Sequence, residues 1–142
     1  MYELRVLVCG GRDYHNVEEF YEVLNWVDGS WESADSTGPI STIISGHARG
    51  ADQLAEKYAN EKNIPLEIYP AQWDVYGKSA GVIRNQEMLD EGQPDLVVAF
   101  PGGKGTAHMV KIAKKANAEV INLADYFEWV GLSLWKIQQV DG

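Results

Sequence analysis

The stretch DLVVAFPGGKGTAHM, residues 95–109, joins a continuous apolar run to three glycines and then to a helical pattern. A continuous apolar run is typical of a strand that is buried on both faces, as in a parallel sheet. Glycines after such a strand allow close backbone approach, and the free N–H groups of the next helix attract anions. This stretch therefore predicts a parallel α/β sheet with an anion-binding turn at its edge.

The same unit recurs along the chain. Further apolar runs begin at Arg5, Ile40, Ile64 and Ala118, and amphipathic segments separate them, the first one capped by Asn16. Alternating strands and helices imply right-handed crossovers, with helices on both faces of the sheet. We predict an α/β fold: a single domain over residues 1–142 with a Rossmann-like, doubly wound parallel sheet in three α/β/α layers.

Two segments lie outside this repeat. Residues 28–39 are polar and rich in turn-forming residues, which predicts an exposed loop between the first helix and the second strand. The core is predicted to span about 5–123, followed by an aromatic extension at 124–142. An apolar stripe in that extension requires another apolar surface to pack against. Core packing or a subunit contact would supply one, and we expect a homodimer.

Composition limits the possible partners. The 142 residues include 12 Lys and Arg against 21 Asp and Glu, for a net charge of -9, which disfavours duplex nucleic acid but permits a local anion pocket. The single Cys9 has no disulfide or CxxC partner, and no stretch resembles a membrane span or a secretory leader. His15, His47 and His108 lack metal-ligand spacing. We expect a cytoplasmic protein without a metal or cofactor.

Three turns carry most of the candidate ligand-binding residues, because ligands of doubly wound sheets bind beyond the carboxyl ends of the strands. These residues are Gly10, Gly11 and Arg12 in CGGRDY, Ser45, Gly46, Arg49, Gly50 and Asp52 in SGHARGAD, and Pro101, Gly102, Gly103, Lys104, Gly105 and Thr106 in PGGKGT. The last turn is not a Walker A loop, because Gly105 separates Lys104 from Thr106. It is not GxGxxG either, because His108 takes the third glycine's place.

The segment between the third and fourth strands adds five candidates. Arg84 and Asn85 can present a guanidinium and an amide to phosphate; the alternative for Arg84 is a surface residue paired with Glu87 or Asp90. Trp73, Tyr76 and Lys78 fit a flap that stacks on a base, with Lys78 contacting phosphate. Alternatively, Trp73 fills the core beneath that loop.

Asp52 and two histidines leave further alternatives open. Asp52 suits the first turn of a helix without any ligand, or it binds a ribose hydroxyl. His47 and His108 lie at the predicted binding edge, where either can donate to phosphate or act as an acid.

The joint occurrence of VCGGRDY, SGHARGADQLAEKYA, YPAQWDVYGKSAGVIRNQEML and VVAFPGGKGTAHMV resembles the SLOG superfamily of nucleotide-binding Rossmann-like proteins, in its YspA-like branch. The resemblance extends from about Val6 to Asn122. It implies the strand order 3-2-1-4-5, a pocket for a nucleotide or nucleotide-derived sugar phosphate, and frequent dimerisation.

The same superfamily includes the Lonely Guy phosphoribohydrolases, whose hallmark resembles PGGxGTxxE together with an arginine in an RKAEM-like helix. Arg84 and Glu87 in RNQEM match that helix and become the candidate catalytic residues, but Met109 stands where the glutamate is expected. We therefore predict a binding or sensing module for a nucleotide-derived ligand. The alternative is an N-glycoside or nucleotide hydrolase in which Glu87, Asp52 or a histidine replaces that glutamate.

A third function, single-stranded DNA binding as in the DprA relatives of this superfamily, requires a basic groove. The acidic composition argues against it.

Overall fold

The computed structural model describes residues 3–33 and 39–123. The described part of the chain contains one sheet of five strands: β1 Arg5–Cys9, β2 Thr42–Ser45, β3 Leu66–Ile68, β4 Leu96–Ala99 and β5 Glu119–Asn122. Their spatial order is β3-β2-β1-β4-β5, and every neighbouring pair is parallel. The predicted parallel sheet and its strand order are confirmed.

The helices connect consecutive strands. Their bounds are α1 Val17–Ser33, α2 Ala51–Lys62, α3 Trp73–Tyr76, α4 Ala80–Asp90 and α5 Lys104–Lys115, with a short 3₁₀ turn at Gly77–Ser79. Asn16 caps α1 as predicted, since its Oδ1 accepts a 3.1 Å hydrogen bond from the N–H of Glu19. None of the described helices is long and apolar enough to cross a membrane.

The predicted exposed loop at residues 28–39 is wrong over residues 28–33, because α1 continues to Ser33. Turn-forming residues lower helix propensity by only about 1 kcal/mol each, so a packed helix can extend through them. Phe20, Leu24 and Val27 anchor α1 in the core. The Asp28 carboxylate accepts a 2.8 Å hydrogen bond from the N–H of Ile40 as the chain enters β2.

Two apolar layers cover the sheet, which confirms the three-layer arrangement. Alternate β1 residues face opposite sides: Val6 and Val8 pack with residues of α1 and α2, whereas Leu7 and Cys9 pack with residues of α4 and α5. Both sets are buried. The apolar runs of β1, β2 and β4 therefore reflect strands covered on both faces, whereas the edge strands β3 and β5 are only partly buried, contrary to the expectation from their sequences.

The register of the strands brings the three glycine-containing turns to one edge of the sheet. Cys9 at the end of β1 pairs with Ala99 at the end of β4, and Val8 pairs with Ser45 at the end of β2. The turns after β1, β2 and β4 consequently leave the sheet side by side. The predicted C-terminal stripe at 124–142 lies outside the described residues.

Candidate functional site

The three glycine turns contact one another through Gly11. Its N–H donates to the carbonyl of Pro101 over 2.9 Å, and its own carbonyl accepts from the N–H of Ala51 over 3.2 Å. Gly50 has a φ of 74°, and a Cβ there would collide with the Gly11 carbonyl. A Cβ on Gly102 would meet Thr106 and, at 2.6 Å, the Gly11 nitrogen. Gly50 and Gly102 are therefore needed where the turns meet.

A cleft of about 660 Å³ opens beyond the carboxyl ends of β1 and β4, between the turn after β1, α4 and the start of α5. This volume is within the usual range for small-molecule sites. Twelve of the predicted ligand-binding residues line it: Gly10, Gly11, Arg12, Asp52, Trp73, Lys78, Arg84, Asn85, Gly103, Lys104, Gly105 and Thr106. The fold thus gathers residues from three turns and a helix into one depression.

The lining carries a charge opposite to that of the whole chain. Four cationic side chains, Arg12, Lys78, Arg84 and Lys104, lie around the cleft against two carboxylates, Asp13 and Asp52. The local excess of two positive charges contrasts with the net charge of -9. A field of this sign concentrates small anions, while the remaining acidic surface repels larger polyanions.

The start of α5 supplies backbone donors to the same cleft. The N–H of Ala107 makes the first intrahelical hydrogen bond, to the Gly103 carbonyl over 3.1 Å. The N–H groups of Lys104, Gly105 and Thr106 precede it and have no helical acceptor. Nothing lies within 4 Å of a Cβ built on Gly103 or Gly105, so the space beside this turn is open. The positive end of the helix dipole is accessible there.

Arg84 is held in place by two elements of the fold. Its Nη1 donates a 2.6 Å hydrogen bond to the Gly46 carbonyl, and its Nε donates to Asn85 Oδ1 over 3.1 Å. Burial lowers the pKa of Arg84, although the negative charge of Asp52 opposes that change. The alternative of a surface arginine paired with Glu87 or Asp90 is wrong, because Arg84 is half-buried and bonds inward.

Asn85 joins α4 to the first turn of α5. It is buried, and its Nδ2 lies 3.1 Å from both the Gly105 carbonyl and His108 Nδ1. The amide therefore fixes the position of the turn that carries the open N–H groups. His108 also lines the cleft, as expected for a residue at the binding edge.

Asp52 is a buried carboxyl group in the cleft wall. Only 6% of the residue is exposed, and Oδ2 accepts a 3.1 Å hydrogen bond from the N–H of Ala48. Burial raises the pKa of Asp52 to about 6, with the Ala48 hydrogen bond and Arg84 acting in the opposite direction. Burial also raises the pKa of the Cys9 thiol, which lies in the same lining. Asp52 can therefore change protonation near neutral pH, whereas Cys9 stays a thiol.

Trp73 lies on the surface at the mouth of the cleft, with 48% of its area exposed. The Arg12 guanidinium lies 5.4 Å from the centroid of its ring, within the range of a cation–π contact. The alternative in which Trp73 fills the core is therefore wrong.

Several predicted site residues lie elsewhere. Ser45 is fully buried, and its hydroxyl donates to Glu56 and accepts from the N–H of His47. His47 is paired with Glu56 over 2.9 Å, and the exposed Arg49 is 4.0 Å from Asp13. Predicted residues that do not contribute to the cleft lining are Ser45, Gly46, His47, Arg49, Gly50, Tyr76, Glu87, Pro101 and Gly102.

Pro101 and Gly102 line a second, more open depression of about 770 Å³ at the start of α1. It shares Gly11, Arg12, Asp13 and Gly103 with the first cleft. The two depressions are therefore adjacent.

Sequence reasoning did not identify Cys9, Asp13, Ala48, Gly81, Val82 and Met88, which also line the first cleft. Gly81, Asn85 and Met88 are spaced four and three residues apart, so they lie on the same face of α4. This spacing indicates that Gly81 and Met88 line the cleft wherever Asn85 does. Cys9 and Asp13 flank the predicted CGGR turn. Within residues 3–33 and 39–123, no group of three His, Cys, Asp or Glu side chains is arranged to hold a metal ion.

Comparisons with known proteins agree with this architecture. The chain is 41% identical over 90 residues to the Gene 61 protein of Mycobacterium phage D29, a match that covers 58% of this chain and 71% of the relative. The solved Moco Carrier Protein from Chlamydomonas reinhardtii has a similar fold, with a TM-score of 0.56 and 19% identity. That match covers 86% of this chain and 76% of the carrier.

A family model described as "YspA, cpYpsA-related SLOG family" matches residues 4–76, slightly more than half of the chain. This range includes the turns after β1 and β2 and ends within α3, before α4 and PGGKGT. The chain belongs to the YspA, cpYpsA-related SLOG family.

Proposed function

We propose that this protein binds a nucleotide or a nucleotide-derived sugar phosphate in the 660 Å³ cleft, as a sensor or binding module. The observation that carries the proposal is the convergence of four cationic side chains and the open N-terminus of α5 within a strongly acidic chain. Phosphate is the common biological group that matches this combination of charge and backbone donors.

In this proposal, the phosphate of the ligand binds at the start of α5. Gly103 and Gly105 leave room for phosphate oxygens, and Lys104 adds a mobile positive charge. Arg84 provides a more rigid charge from the opposite helix, because its hydrogen bonds to Gly46 and Asn85 restrict its side chain. The two cations suit a dianionic group better than a neutral one.

Family membership supports the more general part of this proposal, that the protein binds a small molecule. The name of the structurally similar Moco Carrier Protein supports the same part. A cytoplasmic location is part of the proposal, since the single Cys9 has no disulfide partner in the sequence.

The test is a thermal-shift screen with nucleotides and sugar phosphates, followed by calorimetry on the best hit. Lys104→Ala is compared with Lys111→Ala, which removes the same charge from an exposed position of α5 outside the cleft lining. We expect a roughly tenfold or greater loss of affinity for Lys104→Ala, from one charge-assisted contact. Lys111→Ala should bind like the wild type.

Gly103→Val provides a second, steric test, because the added side chain occupies open space beside the helix N-terminus. If both Lys104→Ala and Gly103→Val are folded and bind as tightly as the wild type, the phosphate does not bind at this turn and the proposal fails.

A second candidate function, hydrolysis of an N-glycosidic bond, is favoured by the position of Asp52 in the cleft wall. Its carboxylate can accept a proton from an attacking water near neutral pH, as the pKa of about 6 permits. Glu87 is outside the cleft lining, so Asp52 is the better substitute for the missing glutamate. The test is mass spectrometry of incubated ligand: base release by the wild type that Asp52→Asn abolishes would support hydrolysis.

A further inference from the structure

Part of the cleft lining is apolar and exposed. Trp73 and Val82 both line it, with 48% and 52% of their areas accessible, and both lie at the mouth formed by α3 and α4. Exposed aromatic side chains at the rim of a concave site are typical of ligand contacts rather than of folding requirements.

The ring of Trp73 lies beside the start of α4. A Cβ built on Gly81 would lie 3.6 Å from Trp73 Cη2, so one edge of the indole lies near this glycine, about one methyl group away. Much of the surface of the ring is open to solvent.

Arg12 adds a planar cation to this wall. Its guanidinium lies 5.4 Å from the centre of the Trp73 ring, and no described carboxylate is within ion-pair distance of it. Guanidinium and indole planes both stack on aromatic heterocycles. This stacking does not depend on which hydrogen-bonding groups the heterocycle carries.

From this wall we infer that the ligand carries a flat heteroaromatic ring that stacks on Trp73 beside Arg12 while its phosphate binds at the start of α5. The inference rests on the proposed function and narrows its ligand class. It favours a nucleoside phosphate with its base intact over a bare sugar phosphate. The cleft volume of about 660 Å³ accommodates a ring, a sugar and a phosphate together.

Tyr76 offers a matched control for Trp73. It is also an exposed aromatic residue of α3, with 43% of its area accessible, but it does not belong to the cleft lining. Removing either ring exposes little new surface, so both alanine variants are expected to fold. Only the Trp73 variant removes a surface that faces the ligand.

The experiment measures binding of the four ribonucleoside monophosphates and of ribose 5-phosphate to the wild type, Trp73→Ala, Trp73→Phe, Tyr76→Ala and Lys104→Ala. We expect the best monophosphate to bind the wild type more tightly than ribose 5-phosphate does. Trp73→Ala should lose roughly five- to hundredfold in affinity for that nucleotide while binding ribose 5-phosphate unchanged. Trp73→Phe should recover part of the loss, and Tyr76→Ala should match the wild type.

Fluorescence gives an independent readout. A base stacked on Trp73 should quench part of the wild-type tryptophan emission, and the Trp73→Phe variant should lack that component.

The outcomes separate this inference from the proposed function. If folded Trp73→Ala binds the nucleotide as tightly as the wild type while Lys104→Ala is weakened, phosphate binding stands and stacking is wrong. Equal wild-type affinity for ribose 5-phosphate and every nucleotide also overturns the stacking inference. If none of these probes binds at millimolar concentration, both proposals fail for monophosphate ligands.

Discussion

Arg84 Nη1 donates a 2.6 Å hydrogen bond to the carbonyl oxygen of Gly46, a residue 38 positions earlier in the chain. The contact joins α4 to the turn after β2 across the carboxyl edge of the sheet. Gly46 does not line the cleft, yet its backbone orients a guanidinium that does. The SGHARG turn therefore acts on the site by positioning Arg84.

Replacing Arg84 with lysine should lower both stability and ligand affinity. Lysine keeps the charge, but a single ammonium cannot reproduce the forked hydrogen bonds to Gly46 and Asn85. We expect a loss of about 1 to 3 kcal/mol in the free energy of unfolding, measured by urea denaturation. Arg49→Lys, at an exposed position outside the cleft lining, is the control and should change it by less than about 0.5 kcal/mol. Equal stability of both variants would show that the Gly46 contact is unimportant.

Two glycine-to-alanine substitutions should have opposite effects on folding. Gly50→Ala places a Cβ against the Gly11 carbonyl at a φ of 74°, so we expect a loss of about 2 kcal/mol or more. Gly105→Ala adds a methyl group in open space in the first turn of α5, where alanine is the better helix former by about 1 kcal/mol. Thermal or urea unfolding measures both. A stable Gly50→Ala variant would contradict the close contact between the turns.

Asp52 should make stability depend on pH between about 4 and 6. Burial raises its pKa to about 6 in the folded protein, against 3.8 for a solvated aspartic acid side chain, so the folded state binds the proton more tightly. The resulting stabilisation is fully present below pH 3.8 and is lost as the pH rises through 6. Unfolding of the wild type and Asp52→Asn should be compared at pH 4, 5, 6 and 7. Relative to the variant, the wild type should lose about 2 kcal/mol over this range. Parallel pH profiles would contradict this role for Asp52.

Phosphoribohydrolase activity on AMP-like substrates should be very low. Met109 occupies the position of the expected glutamate and is fully buried in the layer between α5 and the sheet. Met109→Glu should not restore activity, because it would bury a charge among apolar side chains. Chromatography of free base provides the assay, with an active Lonely Guy enzyme as the positive control. Wild-type turnover of about one per second or faster would prove this prediction wrong and direct attention to Asp52.

The homodimer remains a prediction, because the aromatic extension that motivates it lies outside the described residues. Its sequence YFEWVGLSLW places several large apolar side chains in ten residues, and such a surface is normally covered. Analytical ultracentrifugation of the full chain at micromolar concentration should give a dimer mass. A monomer under those conditions would remove the prediction.

The fold was predictable from the sequence because its signals are local and repeated. Each buried strand is a short apolar run, and each helix buries residues at helical spacing, as Ala51, Ala55 and Tyr58 do in α2. The family resemblance implied the strand order, which no local pattern contains. The end of α1 was predicted incorrectly because a packed helix tolerates turn-forming residues that a sequence pattern treats as breaks.

The sequence alone also identified where a ligand would approach, since glycines and cations follow the carboxyl ends of three strands. It could not distinguish the residues that face a ligand from those that hold the turns together. Gly50 and Gly105 look alike in the sequence, yet one meets a backbone carbonyl and the other meets open space. Only the tertiary structure decided this difference, because it depends on contacts between segments far apart in the chain. The burial that raises the pKa of Asp52 and the exposure of Trp73 likewise depend on how distant segments pack together.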